Sequence, residues 1–474
     1  MNESVPPPDS VPVIPPLAGL CSYDEASRTG LSVEGCVEWL KRMHYVWKRL
    51  HQIFTAHVTA EPIYELKTAY SLHAHLCAEH AQAIRDRVSE MREPPLGLEV
   101  VPDAALEIAC DEVLCSPTTC ERCFGLYGVL LPALNESIQQ YLTRTNRLAD
   151  APSVRILRFA QLELADMLAF GSQTLTALEG SGGIDPQYVS VLREAGTLTP
   201  SPSPGGRGET ESEVQRYYSR QPFQYDRVPK RDSRFQDSFN AGVNPEAFLY
   251  DPQYSPRDKT LMMYYKRIRE IDVPEMMASI LVEMPHKPWA FQRDMTRQLW
   301  DEARHAMLGD VGFRSVGIDW TQIPISFIWS YNLNTQLTAT ERHAVLFFIE
   351  QGLMPRTGKR FEWEVGLASG DALSALFQDF DWADEVLHAQ IGREWYVKDF
   401  GDLNKALAYG DACWSKVMSH WREYRDKGLT QHRNWWPEIY AQACQQWGVE
   451  TDPRAMAYSE TYESKRADLK AIET

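Results

Sequence analysis

Two segments carry the same short pattern, and together they restrict the fold more than anything else in the chain. DEARH at 301–305, inside LWDEARHAML, pairs Glu302 with His305; DEVLH at 384–388, inside DWADEVLHAQ, pairs Glu385 with His388. Three positions along a helix bring two side chains onto one face. Both copies sit among apolar residues, so each predicts a helix that turns a carboxylate and an imidazole inward. Such groups are costly to bury without a partner.

A fold that meets this requirement is a bundle in which facing helices deliver ligands at one level to a pair of divalent ions. Two such ions carry four positive charges, which four carboxylates balance, and each imidazole completes one ion's coordination. Each Glu-x-x-His helix then needs a partner helix with a single carboxylate. For Glu385 and His388 that partner is Glu350, set among Leu346, Phe347, Phe348 and Leu353. Glu341, near a helix start after Thr338 and Thr340, suits the helix dipole instead. For Glu302 and His305 the segment REIDVPEMMASILVEM offers Glu270, Asp272, Glu275 and Glu283. Glu275 shares a face with Tyr264, Ile268, Ala278 and Val282 and is the expected ligand. Glu270 and Asp272 stay open, because Pro274 can kink the helix and upset the register.

The repeated motif, each copy preceded by a glutamate about thirty residues upstream, resembles the ferritin-like diiron carboxylate superfamily. DEARH, with Arg304, is similar to the form found in its oxygenase and oxidase branches. The resemblance spans roughly 260–400. It implies Glu275, Glu302, His305, Glu350, Glu385 and His388 as metal ligands, with Asp301 and Asp384 orienting the imidazoles. It also implies two iron ions (manganese or a mixed Mn/Fe pair being compatible with O/N ligands) and dioxygen used to oxidise a small-molecule substrate. An external electron donor goes with that class. The alternative is a ferritin-like protein with a ferroxidase, storage or structural role and no organic substrate.

Elsewhere long helical periodicity dominates and strand signals are scarce, which predicts an all-α chain: a ferritin-like four-helix bundle with a second, N-terminal helical bundle. The expected layout is a proline-rich arm over 1–20, a helical bundle over 21–180, a flexible Ser/Pro/Gly-rich linker over 181–235, the dimetal bundle over 236–400 and a helical extension over 401–474. PRTGKRFEWEVG, from Pro355 to Gly366, reads as a polar loop. In the first bundle Glu136 precedes Glu163 by the interval that separates Glu275 from Glu302, which suggests a degenerate copy. That half has no Glu-x-x-His. Trp414, Trp421, Trp435, Trp436 and Trp447 read as packing aromatics.

A formal charge of −17 speaks against a general nucleic-acid or anionic-membrane binder. No apolar run approaches the roughly twenty residues of a membrane span, and MNESVPPPDSVPVIPPLAGL lacks the features of a signal peptide. A cytoplasmic protein, monomeric or homodimeric, is the expectation. Nine cysteines, an odd count, do not suggest a disulfide framework. Cys110, Cys115, Cys120 and Cys123 cluster, and the last two form a CxxC. Buried cysteines at a helix start and a zinc or iron–sulfur site are both open. No nucleophile elbow or phosphate loop is present.

Overall fold

The structure is a computed structural model and describes residues 14–91, 97–195, 215–418 and 421–461, the side chains of Met418 and Trp421 excepted. Every helix and turn in it agrees with an all-α chain; among the described residues there is no strand. No helix among them is long and apolar enough to cross a membrane.

The chain divides into two compact units, and the division is not linear. The first comprises the chain to Arg49 together with Glu79–Phe223; the second comprises Leu50–Ala78 and Gln224–Thr474. This corrects the expected boundary, which assigned all of 21–180 to one bundle. The reason lies in polar burial. Lys67, from the early segment, buries its ammonium against the Glu275 carboxylate, and Thr59 Oγ1 donates to the Glu275 carbonyl at 2.6 Å.

In the first unit the helix Ala151–Ala177 packs beside Leu131–Arg144. Cys120 and Cys123 lie in a helix that Thr118 caps through Glu121 N. The cysteines join no group of potential metal ligands among the described residues. His80 pairs with Glu163 at 2.7 Å, so that glutamate has a neutral or cationic partner rather than a metal cluster. The expected linker also differs. It contains a helix, Pro186–Ala195, which buries Tyr188, Val191, Leu192 and Ala195. Residues 196–214, like most of the proline-rich arm, lie outside the described residues.

The second unit holds the two motifs. Its central helices are α1 (Pro256–Arg269), α2 (Asp272–Glu283), α3 (Trp289–Ser315), α4 (Ala339–Gly352), α5 (Lys359–Ser369) and α6 (Ala372–Gly392). Helix α1 begins at a Ser255 cap with Pro256 in its first turn, where the missing N–H costs nothing. It stops at Glu270. Pro274 has no N–H to offer the Glu270 carbonyl, so a single helix through 258–284 is broken at Glu270–Ile271 and α2 starts afresh at Asp272. Helix α4 opens with a reciprocal cap between Thr338 and Glu341. Gly370, at φ +77°, ends α5, and Asp371 caps α6 through Leu373 N and Ser374 N.

Two features set the depth of the bundle. A Cβ at Gly309 would lie 2.3 Å from Ile268 N, and one at Gly312 would lie 2.3 Å from the Tyr264 ring. These glycines, one turn apart on α3, let α1 approach closely. The segment read as a polar loop is largely helix α5, whose inward side carries Lys359 and Glu362 as well as Val365 and Gly366. Polar residues on that side obscure the apolar period on which the sequence reading relied.

Candidate metal centre

On α3 the buried positions Gln298, Glu302, His305 and Gly309 follow spacings of four, three and four. On α6 Gln378, Asp381, Glu385 and His388 follow spacings of three, four and three. Each helix therefore turns one polar stripe into the bundle. Glu350 reaches the same region from α4, and Glu270 from the α1–α2 junction.

Two groups of potential ligand atoms result, each with its members within 4.8 Å of one another: Glu270, His305, Asp381 and Glu385, and Glu302, Glu350, Glu385 and His388. Glu385 belongs to both. His388 Nδ1 lies 3.1 Å from Glu302 Oε1 and 3.4 Å from Glu385 Oε2. His305 Nδ1 lies 3.4 Å from Asp381 Oδ1, 3.5 Å from Glu270 Oε2 and 3.7 Å from Glu302 Oε2. Gln298 donates to Glu350 Oε1 at 3.1 Å.

The structure thus brings together five of the six ligands chosen from the sequence: Glu302, His305, Glu350, Glu385 and His388. Glu275 is elsewhere. It is wholly buried in an ion network, where Lys67 and Arg231 pair with its carboxylate and Ser330 Oγ donates to Oε2 at 2.6 Å. Glu270, one of the two alternatives, takes the place beside His305; Asp272, the other, pairs with Arg231. The break at Glu270–Ile271, ahead of Pro274, is the physical cause. Because α2 restarts at Asp272, Glu275 does not continue the face of Tyr264 and Ile268.

Asp301 and Asp384 face the imidazoles, each across the bundle. His305 Nε2 lies 3.0 Å from Asp384 Oδ2, and His388 Nε2 lies 3.5 Å from Asp301 Oδ2. Arg304 donates to both aspartates, and Arg297 to Asp301 at 2.8 Å. Burial opposes ionisation of Asp301, but His388, Arg297 and Arg304 hold it well below the usual carboxylate range.

The sequence reading missed Asp381, Arg267 and Lys359. Asp381 had a signal, since it stands one turn before Glu385. Lys359 Nζ lies 2.8 Å from Glu385 Oε1 and 2.9 Å from Asp381 Oδ2; Arg267 pairs with Asp381 and, at 2.9 Å, with Glu270.

The electrostatics are those of an anionic cluster withdrawn from water. Burial alone would pull His305 down, yet Asp384, Glu270 and Glu302 push it up to about 10. His388 is raised well above its ordinary value in the same way: burial opposes the charge, and Asp301, Glu302 and Glu385 outweigh it. Burial and then the neighbouring Glu385 raise Glu350 well above the usual range. Burial works against the Glu385 charge too, but Lys359, Glu350 and His388 keep it ionised. Glu270 is lowered to about 2, because Arg267 and Lys359 overcome its burial.

The donor set fits divalent metal ions. Glu270 Oε2, Glu302 Oε1, Glu385 Oε2, His305 Nδ1 and His388 Nδ1 are buried and converge, and they face one another at 3.1–3.5 Å with poor hydrogen-bond geometry. An imidazole anchored through one nitrogen, with the other directed at carboxylates, is the arrangement of a metal-binding histidine.

A cavity of about 130 Å³ adjoins the cluster. Its lining combines charged residues, among them Glu270, Glu302, Glu350, Glu385, Lys359 and Arg267, with apolar ones such as Val273, Met276, Leu333, Val345 and Ile349.

No protein-family model, no curated protein and no solved structure matches the chain.

Proposed function

We propose that this chain is a ferritin-like dimetal oxidoreductase that uses dioxygen to oxidise a small organic molecule. The metals are two iron ions, with manganese or a mixed pair compatible with the same ligands. Glu270, Glu302, His305, Glu350, Glu385 and His388 would hold them, with Asp381 beside Glu270. The observation that carries the reading is the state of the two histidines. Each has Nε2 at an aspartate from the other motif and a buried Nδ1 that faces two or more carboxylates at 3.1–3.7 Å. Buried carboxylates converging on two imidazoles anchored in this way supply the oxygen and nitrogen donors that a pair of divalent ions takes.

When bound, such ions supply Lewis acidity and one-electron chemistry toward oxygen. The chain's own residues do the rest. Asp301 and Asp384 fix the ring orientations, while Arg304 holds both aspartates. The wall of Val273, Met276, Leu333, Val345 and Leu346 excludes water and favours an apolar group of the substrate facing the carboxylates. The cavity's size favours a small substrate. An external electron donor completes the redox balance. A cytoplasmic monomer or homodimer remains the expected form.

Anaerobic ferrous reconstitution with metal counting, followed by rapid mixing with dioxygen under optical detection, tests this. Wild type is expected to hold about two irons per chain, as carboxylate-bridged pairs do, and to give an oxygen-dependent optical change. His305→Ala and His388→Ala should lose both. Folded wild type that takes up neither iron nor manganese would overturn the reading.

A further inference from the structure

The two groups of ligand atoms are unequal in charge. Around Glu270, His305, Asp381 and Glu385 the chain already supplies cations. Lys359 Nζ is 2.8 Å from Glu385 Oε1, 2.9 Å from Asp381 Oδ2 and 3.7 Å from Glu270 Oε1. Arg267 engages Glu270 and Asp381 as well. Both side chains are buried. The other group shares Glu385, whose Oε2 lies 3.4 Å from His388 Nδ1 while Lys359 holds Oε1. Its Glu302 and Glu350 have no lysine or arginine within ion-pair distance among the described residues, and their close neighbours are His388, His305 and the Gln298 amide.

We infer that Lys359 is a resident cation of the Glu270–His305–Asp381–Glu385 position, so that the two metal positions fill unequally. The first divalent ion enters at Glu302, Glu350, Glu385 and His388. The second enters only as the Lys359 ammonium withdraws. This rests on the dimetal reading above. The physical reason is competition for the same oxygens: Lys359 occupies Glu385 Oε1 and Asp381 at hydrogen-bond distance, and a metal there must displace it or leave two cations in contact. A withdrawal route exists in the local structure. Lys359 is the first residue of α5, directly after a turn whose Pro355, Arg356 and Thr357 are exposed. Movement of that helix end, which breaks the 3.2 Å hydrogen bond from Lys359 N to the Leu353 carbonyl at the end of α4, would carry the ammonium away from Glu385 and Asp381. The lysine would then act as a gate on metal content, keeping the buried carboxylates neutralised until the second ion arrives.

The test is an anaerobic titration of the metal-free full chain with Mn(II), read by calorimetry and by electron paramagnetic resonance. Wild type should bind a first ion with the spectrum of an isolated ion and a second at least about tenfold more weakly, the penalty of a position mostly held in its closed form. The spin-coupled spectrum should appear only with the second. Lys359→Met should tighten the second ion by about tenfold, and Lys359→Arg should preserve the gap. Two further variants keep the inference testable if Lys359→Met does not fold: Glu350→Gln should weaken the first ion, and Asp381→Asn only the second. A spin-coupled pair from the first additions to wild type, or loss of the first ion in Asp381→Asn, would overturn the role of Lys359 and leave the dimetal centre standing. Failure of wild type to bind Mn(II) or Fe(II) at all would overturn the centre itself.

Discussion

Oδ2 of Asp384 lies 3.0 Å from Nε2 of His305, so the carboxylate that opens the second motif holds the imidazole that closes the first. Asp301 and His388 repeat the relationship at 3.5 Å, and Arg304 joins the two aspartates. Each half of the centre is thus oriented by the helix that carries the other half. Asp384→Asn should weaken the ion held by His305, and Asp301→Asn the ion held by His388, each by about 10–100-fold. Calorimetric metal titration of the two variants checks this. Equal weakening of both ions by either substitution would count against the crossed arrangement.

Glu270 and Glu275 separate metal binding from folding. Glu270→Gln should reduce metal uptake and cost less stability than Glu275→Gln, because Arg267 and Lys359 keep Asp381 as a counter-ion. Glu275→Gln should leave metal uptake intact but destabilise the fold by about 3–5 kcal/mol, because it strips Lys67 and Arg231 of a buried counter-ion. Metal counting beside denaturant unfolding distinguishes the two. The reverse pattern would return Glu275 to the centre.

The metal-free protein should lose stability on the alkaline side. His305 titrates at about 10 in the folded chain against an ordinary value of 6.5. A group raised in this way contributes fully below its unfolded value, and the contribution is lost as pH rises through the folded one. Thermal unfolding of the metal-free chain should therefore show a falling midpoint between about pH 6.5 and 10, and His305→Gln should flatten that limb. Glu270 acts oppositely: its contribution is present above 4.5 and lost as pH falls toward about 2.

Gly309→Ala places a methyl group 2.3 Å from Ile268 N, against backbone that cannot rotate away. The expected cost is about 1–3 kcal/mol. Because α1 carries Glu270 at its end, the displaced helix should also weaken metal binding at His305. Denaturant melts with and without Mn(II) would show whether both effects appear together.

Much of this was legible in the sequence, for reasons that differ residue by residue. Glu302, His305, Glu385 and His388 were readable because a three-residue spacing on a helix survives whatever the helix packs against. Glu350 was readable because its neighbours are apolar, and Glu341 because its capping threonine lies three residues away. Glu275 misled because the face count runs through Glu270–Ile271, ahead of Pro274, where the helix breaks and the register starts again. Asp381 stands on the Glu385 face, but four carboxylates already balanced two divalent ions, and nothing demanded a fifth. Lys359 and Arg267 were hidden by their type. Basic residues usually signal solvent, and only tertiary placement turns them into counter-ions of buried carboxylates.

The pairing of Lys67 with Glu275 joins residues 208 positions apart in the chain. During synthesis, Leu50–Ala78 is made long before the partner segments of its own unit exist. All of the intervening chain must be translated before Lys67 can meet its carboxylate. The unit that holds the candidate centre is therefore committed to a high contact order and to a closing step late in synthesis. A cut between 181 and 230 would not release it whole: the C-terminal piece would carry all the candidate ligands but leave Glu275 and Arg231 without the lysine that completes their network.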